Sequence, residues 1–320
     1  MRVLVTGGAG VMGSRLVRGL VARGHAVRAL VLPGDPLRKR LDGVGCEVVE
    51  GDVAATDQAG AAALRAACDG VDLVYHLAAV ILSPDPAVFA RVNRDGTAHL
   101  VAAAAAAGVH HFVYVSSASV IYPRRTDYAE SKLAGEEIVA GETRLQHTIV
   151  RPTLVYDEHG GQEFRLFLDY LRRFPVVPFI GPGTARKRPV LSDDVVEGLL
   201  RIAGNPRAHG RIYNFSGGEA VTIEELARLM LAHHGEARRF LHLPVPLCKL
   251  AAGALRLVMS DPPLNHYTIA GMTNDADLDP EAARRELGYE PLGVRAGFAR
   301  CFPLSTARAR AAVVAQRSVT

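Results

Sequence analysis

Two side chains with complementary acid–base chemistry stand four residues apart in Tyr128-Ala129-Glu130-Ser131-Lys132. On a helix that spacing puts a phenol and an ammonium on one face. A nearby cation favours the phenolate and lowers the Tyr pKa, which brings a proton-transfer group closer to working pH. Alone, the pair is an ordinary helix face; it gains weight because it follows a strand-like segment ending in Ser116-Ser117. A second chemical element is the loop Thr6-Gly7-Gly8-Ala9-Gly10-Val11-Met12-Gly13, which follows an apolar run and opens a helical stretch. In that context the glycine spacing builds a dinucleotide cradle. Gly7 permits the tight turn, Gly10 lets backbone approach a pyrophosphate, and Gly13 lets helix and strand pack closely. The anion then meets free N–H groups and a favourable dipole at a helix N-terminus. NAD or NADP is the expected cofactor, and Lys132 can hold its nicotinamide ribose hydroxyls.

The 2′ position of the adenosine ribose is undecided at this level. An acidic residue usually ends the second strand when that hydroxyl is free, and here the position falls at Val31-Leu32. Arg38, Lys39 and Arg40 follow and can meet a 2′-phosphate, so Arg38 is the expected determinant of NADP preference; Asp35 is the counter-candidate for NAD.

These groups need a scaffold. Residues 2–6 form a β-branched apolar run, 14–23 an amphipathic stretch closed by Gly24, and 26–32 a second strand. The pattern repeats with strands at 46–50 and 73–77, a helix at 59–68, a helix from about 86 to 108, and a strand at 111–116. Strands alternating with helices predict a doubly wound α/β fold with a parallel sheet. The strands are apolar on both faces, as a sheet covered on both sides requires. Residues 102–107 are six consecutive alanines, which suit a closely packed helix or a helix–helix dimer seam. After about Tyr156 prolines punctuate short segments, which predicts a smaller domain; 148–155 and 211–215 are expected to return to the sheet, and 243–259 to cover the small domain as a helix or to form a lid over a lipophilic substrate. The expected division is 1–155 with 190–215 as the nucleotide-binding domain, 156–189 with 216–303 as a substrate domain, and 304–320 as a tail.

Composition narrows the partners. The 320 residues carry 37 Lys+Arg against 33 Asp+Glu, a net charge of +4, too small an excess to argue for nucleic acid. The clusters Arg38-Lys39-Arg40 and Arg186-Lys187-Arg188 read as solvated loop charge or as sites for a small anion. The four cysteines make no Cys-x-x-Cys pair and lie near no histidines at zinc spacing, so free thiols in a reducing compartment are expected and no metal site. Strand-forming residues begin at Arg2 and no apolar run reaches about 18 residues, which predicts a cytoplasmic chain without a signal peptide or membrane span.

Several segments occur in an order that resembles a known family: VTGGAGVMG (5–13), GDV (51–53), YHLAA (75–79), VNRDGT (92–97), FVYVSSASV (112–120), YAESK (128–132), RPTLVY (151–156), LSDDVVEGL (191–199) and ELGYEP (286–291). They are similar to the extended short-chain dehydrogenase/reductases, the NAD-dependent epimerase/dehydratase group, over about residues 1–300. The resemblance implies a Rossmann-type sheet with a smaller C-terminal α/β domain. It implies Tyr128 as catalytic acid/base, Lys132 as its partner, and Ser117 as hydrogen-bond donor to the reacting oxygen, with Ser116 the adjacent alternative. Gly7, Gly10, Val11, Met12 and Gly13 would hold the pyrophosphate, Asp52 and Val53 would contact adenine, Leu77, Ala78 and Ala79 would line the cofactor, and Asn93 would lie near it or cap a helix.

The chain also departs from that pattern. The stretch between Ser117 and Tyr128 is short, which reshapes the substrate side of the pocket. An Arg that holds a diphosphate in sugar-nucleotide relatives is missing from 271–275, although Arg188 aligns with another such Arg. Ala118-Ser119 stands where the dehydratases carry Asp-Glu, which disfavours dehydration. The leading expectation is an epimerase acting on a (nucleotide-)sugar; a ketone or aldehyde reductase or a hydroxy-dehydrogenase follows closely, and a non-catalytic assembly or sensor protein last. A small-molecule substrate and a homodimer are expected.

Overall fold

The computed structural model describes residues 1–158, 161–259 and 264–302. Its strands are β1 Arg2–Thr6, β2 Ala26–Val31, β3 Glu47–Glu50, β4 Leu73–His76, β5 His111–Val115, β6 Gln146–Pro152, β7 Val155–Tyr156, β8 Val176–Ile180, β9 Arg186–Lys187, β10 Val190–Leu191, β11 Arg211–Phe215, β12 Val221–Thr222 and β13 Arg239–Leu243. Its α-helices are α1 Val11–Ala22, α2 Gln58–Cys68, α3 Pro86–Phe89, α4 Gly96–Ala106, α5 Asp127–Gly141, α6 Gln162–Arg173, α7 Ser192–Leu200, α8 Ile223–His233, α9 Val245–Arg256, α10 His266–Thr273, α11 Glu281–Leu287 and α12 Val294–Cys301.

The chain divides into two compact units. The first holds Met1–Pro152, Ser192–Phe215 and Asp279–Glu290; the second holds Thr153–Leu191, Ser216–Leu278 and the described residues from Pro291. Seven strands of the first unit form one sheet in the order β11-β6-β5-β4-β1-β2-β3, with every neighbouring pair parallel. This is the doubly wound Rossmann-type sheet the alternation of elements predicts. Val3, Leu4 and Val5 of β1 and all five residues of β5 are buried, because helices cover both faces. The strand order reverses between β1 and β4. Loops leaving the carboxyl ends of strands at such a switch point border a natural crevice, and the glycine loop and residues 77–80 are those loops.

One core cluster joins the sheet to α2, α4 and α5 through Leu64, Leu100, Ala103, Ala104, Phe112 and Val139. Ala103 and Ala104, with the partly buried Ala105, explain half of the alanine run, since they have no bulk where α4 packs into this cluster. The helix expected from 86 to 108 is interrupted: Ala90–Asp95 form a π-helical turn between α3 and α4. The strand expected at 148–155 also divides. β6 ends at Pro152, which has no N–H to continue a ladder, and β7 pairs with β10 in the second unit.

The second unit is more regular than its prolines suggest. β8 and β13 pair in parallel, and α6, α8 and α12 bury Leu171, Leu226, Met230 and Phe298 with Tyr156 and Phe179 in one cluster. Expectations for residues 304–320 lie outside the described residues.

Candidate active site

The glycine loop has the geometry its residue types demand. Gly7 has φ +66°, and a Cβ there would stand 2.9 Å from the Ala78 amide nitrogen. A Cβ on Gly13 would stand 2.1 Å from the Gly7 carbonyl oxygen, closer than any side chain tolerates. The Gly10 N–H donates to the Gly7 carbonyl at 3.0 Å and closes the turn. Gly10 is the N-cap of α1 and supplies no side-chain cap. The first-turn N–H groups of Val11, Met12 and Gly13 therefore have no intrahelical acceptor. A concave backbone cradle in front of uncapped N–H groups fits a pyrophosphate, so the residues present fit a dinucleotide.

Tyr128 and Lys132 lie one turn apart on α5. Thr126 caps this helix by accepting from the Ala129 N–H, with Asp127 and Glu130 in the first turn where the dipole favours acids. The Tyr128 ring meets Phe89 edge-on at 6.1 Å. Lys132 is only 2% exposed, and its Nζ lies 4.2 Å from the centre of the Tyr114 ring. Burial pulls its pKa down to about 7, with Glu136 acting in the opposite direction. Glu136, one turn further along α5, is itself buried and is gripped by Arg151 of β6 through Nε–Oε1 and Nη2–Oε2 bonds of 2.9 and 2.5 Å. The Arg of the RPTLVY segment thus anchors α5 to the sheet.

Ser117 follows β5. Its Oγ accepts from the Ser119 N–H at 3.2 Å and lies 2.9 Å from the Ser119 Oγ, so it caps the short 3₁₀ turn Ala118–Ile121. The Ser116 Oγ is buried without a hydrogen-bond partner among the described residues.

A continuous polar network ties the crevice together, and its middle was not legible in the sequence. Thr6 and His76 are register partners at the ends of β1 and β4. The Ala78 N–H donates to Thr6 Oγ1 at 3.2 Å, and Thr6 Oγ1 lies 2.7 Å from His76 Nδ1. His76 Nε2 lies 3.0 Å from Thr97 Oγ1, which donates to the Asn93 carbonyl at 2.6 Å. Because Thr97 uses its hydrogen on Asn93, it accepts from His76, so His76 carries its proton on Nε2 and Thr6 donates to Nδ1. Burial, reinforced by nearby Lys132, pushes the His76 pKa down to about 3, which keeps this neutral tautomer.

Asn93 continues the path. Its Nδ2 donates to the Val80 carbonyl at 2.9 Å and to Ser131 Oγ at 3.0 Å, while its Oδ1 accepts from the Val80 N–H at 2.8 Å. Ser131 Oγ donates in turn to the Tyr128 carbonyl at 2.7 Å. Asn93 therefore clamps the 77–80 loop to α5 and is not a helix cap. It can do so from the π-helical turn, where an extra residue re-aims side chains. The sequence marks Asn93 and a Thr and a His ending two apolar strands, but nothing in it pairs His76 with Thr6 and Thr97.

Asp52 and Val53 follow β3. Asp52 Oδ1 accepts from the Ala54 N–H at 2.8 Å, and the Val53 side chain is buried in the core. Leu77, Ala78 and Ala79 are half-buried after β4. In the basic cluster, Arg38 pairs with Glu50 at 3.1 Å with both side chains about half exposed, whereas Arg40 reaches the Ala9 carbonyl of the glycine loop at 3.1 Å. The Asp35 carboxylate caps the 3₁₀ turn Pro36–Leu41 through the Leu37 N–H.

Arg188 lies in the second unit. Its guanidinium pairs with Asp277, which also takes Arg186 at 2.7 Å, and Lys187 Nζ donates to the Asn274 carbonyl at 2.6 Å. The second basic cluster is thus tied to residues 274–277, with the Arg186 side chain still about half exposed.

A family model described as the NAD dependent epimerase/dehydratase family matches residues 3–216. The 3 beta-hydroxysteroid dehydrogenase/Delta 5→4-isomerase of Mycobacterium tuberculosis is 28% identical over 352 aligned residues, spanning 94% of this chain and 90% of that protein. The ceramide reductase of Caulobacter vibrioides is 32% identical over 255 residues, spanning 79% and 76%. A dTDP-glucose 4,6-dehydratase from Streptomyces venezuelae, solved with NAD bound, superposes with a TM-score of 0.72 at 25% identity over 94% of this chain and 96% of that one. With its parallel seven-stranded sheet, uncapped glycine loop and Tyr–Lys helix, the chain belongs to the NAD dependent epimerase/dehydratase family and is an oxidoreductase of that NAD-using group.

Proposed function

We propose that this protein is an NAD(P)-linked dehydrogenase or reductase that interconverts a secondary hydroxyl and a ketone on a lipophilic substrate. The observation that carries the chemistry is the buried Lys132 one turn after Tyr128 on α5. Tyr128 takes the hydroxyl proton in oxidation and returns it in reduction. Ser117 donates a hydrogen bond to the same substrate oxygen. Lys132 biases Tyr128 toward the phenolate and holds the ribose hydroxyls. Gly7, Gly10, Val11, Met12 and Gly13 hold the pyrophosphate by their backbone, and Leu77, Ala78, Ala79, Asn93, Asp52 and Val53 shape the rest of the cleft. NAD(P), when bound, supplies the hydride acceptor or donor. Residues 1–155 with 190–215 serve the cofactor, and 156–189 with 216–303 the substrate.

The lipophilic substrate is supported by the steroid and ceramide named for two relatives. The epimerase of a (nucleotide-)sugar, first among the expectations from sequence, becomes the second reading, because the Arg188 guanidinium expected to grip a diphosphate is engaged by Asp277; the sugar-nucleotide dehydratase with a similar fold favours it. A homodimer is retained, supported by Ala102 and Ala106, which are exposed on α4 beside the buried Ala103 and Ala104.

The test begins with mass spectrometry of the denatured protein, which identifies a retained cofactor. Hydroxysteroids and long-chain hydroxy compounds are then assayed against nucleotide sugars by reduced-nicotinamide absorbance. Net reduction with the lipophilic set supports the proposal; epimerisation of a sugar with no net absorbance change replaces it by the second reading. Tyr128→Phe is expected to lower turnover by about 10²–10⁴-fold with NADH binding retained, and full activity in that variant refutes the assigned chemistry.

A further inference from the structure

The second unit buries one side of α9 and leaves the other bare. Cys248 and Ala252 pack with Ile180 and Ile269 in a small core cluster. On the opposite side Leu247 is 54% exposed and Leu250 73%, and Leu257 and Val258, in the turn that follows the helix, are 87% and 79% exposed. Leu250, Leu257 and Val258 are the most exposed large apolar side chains among the described residues. Positions 247, 250, 254 and 257 follow helical spacing, so they form one stripe along a single face. Such a stripe on a water-soluble fold marks a surface that something covers.

The charges carried by α9 are of one sign, Lys249 and Arg256. Residues 237–260 contain Arg238, Arg239, Lys249 and Arg256 and no Asp or Glu. Arg238 is engaged by Glu236, whereas Arg239, Lys249 and Arg256 are exposed and none of them forms an ion pair among the described residues. An apolar stripe flanked by long cationic side chains is the pattern of a helix lying in a membrane interface: leucines enter the acyl boundary, and Lys and Arg extend to anionic headgroups. A second copy of the chain fits poorly, because a two-fold interface sets a patch against itself and would bring together two copies of a helix that carries Lys249 and Arg256 and no acid. No described helix is long and apolar enough to cross a bilayer, so the association is peripheral.

We infer that the exposed face of α9 and the turn after it docks on an anionic phospholipid bilayer. This goes beyond the proposed reaction and holds whichever substrate reading stands, so it is tested without substrate. The full chain is floated with vesicles of phosphatidylcholine alone and of equimolar phosphatidylcholine and phosphatidylglycerol. Binding to the anionic vesicles, weakened by salt, is expected, with little binding to the neutral ones. At about fivefold per cation, Lys249→Ser/Arg256→Ser lowers the partition coefficient about 30-fold, and Leu250→Ser/Leu257→Ser abolishes flotation. Arg91→Ser/Arg207→Ser, with the same charge loss elsewhere, leaves it unchanged. All four substituted positions of the patch are exposed, so the variants keep the wild-type circular dichroism. No flotation of the wild type, or flotation that all three variants share, overturns the inference. A leucine variant that converts a dimer to a monomer in sedimentation equilibrium, with flotation unchanged, replaces the bilayer by a second copy.

Discussion

His76 offers the sharpest test of how the crevice is held together. It is 1% exposed and bridges Thr6 and Thr97 as a neutral imidazole. Replacing it by Phe keeps a ring in the space but leaves the Thr6 hydroxyl hydrogen without an acceptor and deprives Thr97 of a donor. A buried polar group stranded in this way costs about 1–3 kcal/mol at neutral pH. The pH dependence separates this reading from simple loss of packing. The unfolded imidazole has its ordinary pKa of 6.5, and the folded one is pushed down to about 3. Between those values the unfolded chain binds a proton that the folded chain does not, so the stability contributed by neutral His76 is complete above pH 6.5 and is lost as pH falls. From pH 7 to pH 5 the loss is about 2 kcal/mol. His76→Phe lacks that titration. Urea unfolding at both pH values should show a deficit in the variant at pH 7 that shrinks by about 2 kcal/mol at pH 5. Other buried histidines, His111 among them with a pKa also pushed down to about 3, titrate equally in both proteins and cancel. An equal deficit at both pH values would show that the residue is not a neutral imidazole held by two threonines, and the directional network would fail with it.

Three further outcomes follow from particular contacts. Lys132→Met removes a buried amine whose pKa has fallen from 10.5 to about 7; it should abolish turnover and yet raise stability at neutral pH by about 1–4 kcal/mol. Wild-type stability should rise relative to that of the variant between pH 7 and 10.5, because the buried Cys68 thiol and Tyr75 phenol that also respond to pH there are common to both, and a variant less stable than wild type at neutral pH contradicts the reasoning. Gly13→Ala puts a Cβ 2.1 Å from the Gly7 carbonyl oxygen and should cost about 1–3 kcal/mol while abolishing NADH binding in calorimetric titration; normal binding would mean the loop does not cradle the pyrophosphate. Arg38→Ala should shift the ratio of apparent KM for NAD and NADP toward NAD if Arg38 meets a 2′-phosphate. An unchanged ratio, with a shift in Arg40→Ala instead, moves that role to the residue that touches the glycine loop.

Local pattern carried the chain a long way. Apolar runs of strand length alternating with helical ones fix a doubly wound sheet by themselves, because covalent spacing and handedness leave few ways to cover both faces. The turn at the glycine loop and the placement of Tyr128 and Lys132 on one helix were readable because each depends on neighbours only a few residues away. The π-helical turn at Ala90–Asp95 was not, since it changes a hydrogen-bond ladder without changing the apolar pattern. Nor was the break after Pro152, which became visible only when β7 found its partner in β10.

What tertiary structure alone decided are the pairings across distance. Thr6 meets His76 because β1 and β4 are neighbours in the sheet, 70 residues apart in the chain. Arg151 meets Glu136, and Asp277 takes the guanidinium of Arg188, by the same kind of convergence. A charged or polar side chain read from sequence carries its chemistry but not its partner. Whether Arg188 is open to a phosphate or answered by a carboxylate is set by which segment lies beside it, and burial, which draws Lys132 toward neutrality, exists only once the chain has closed around it.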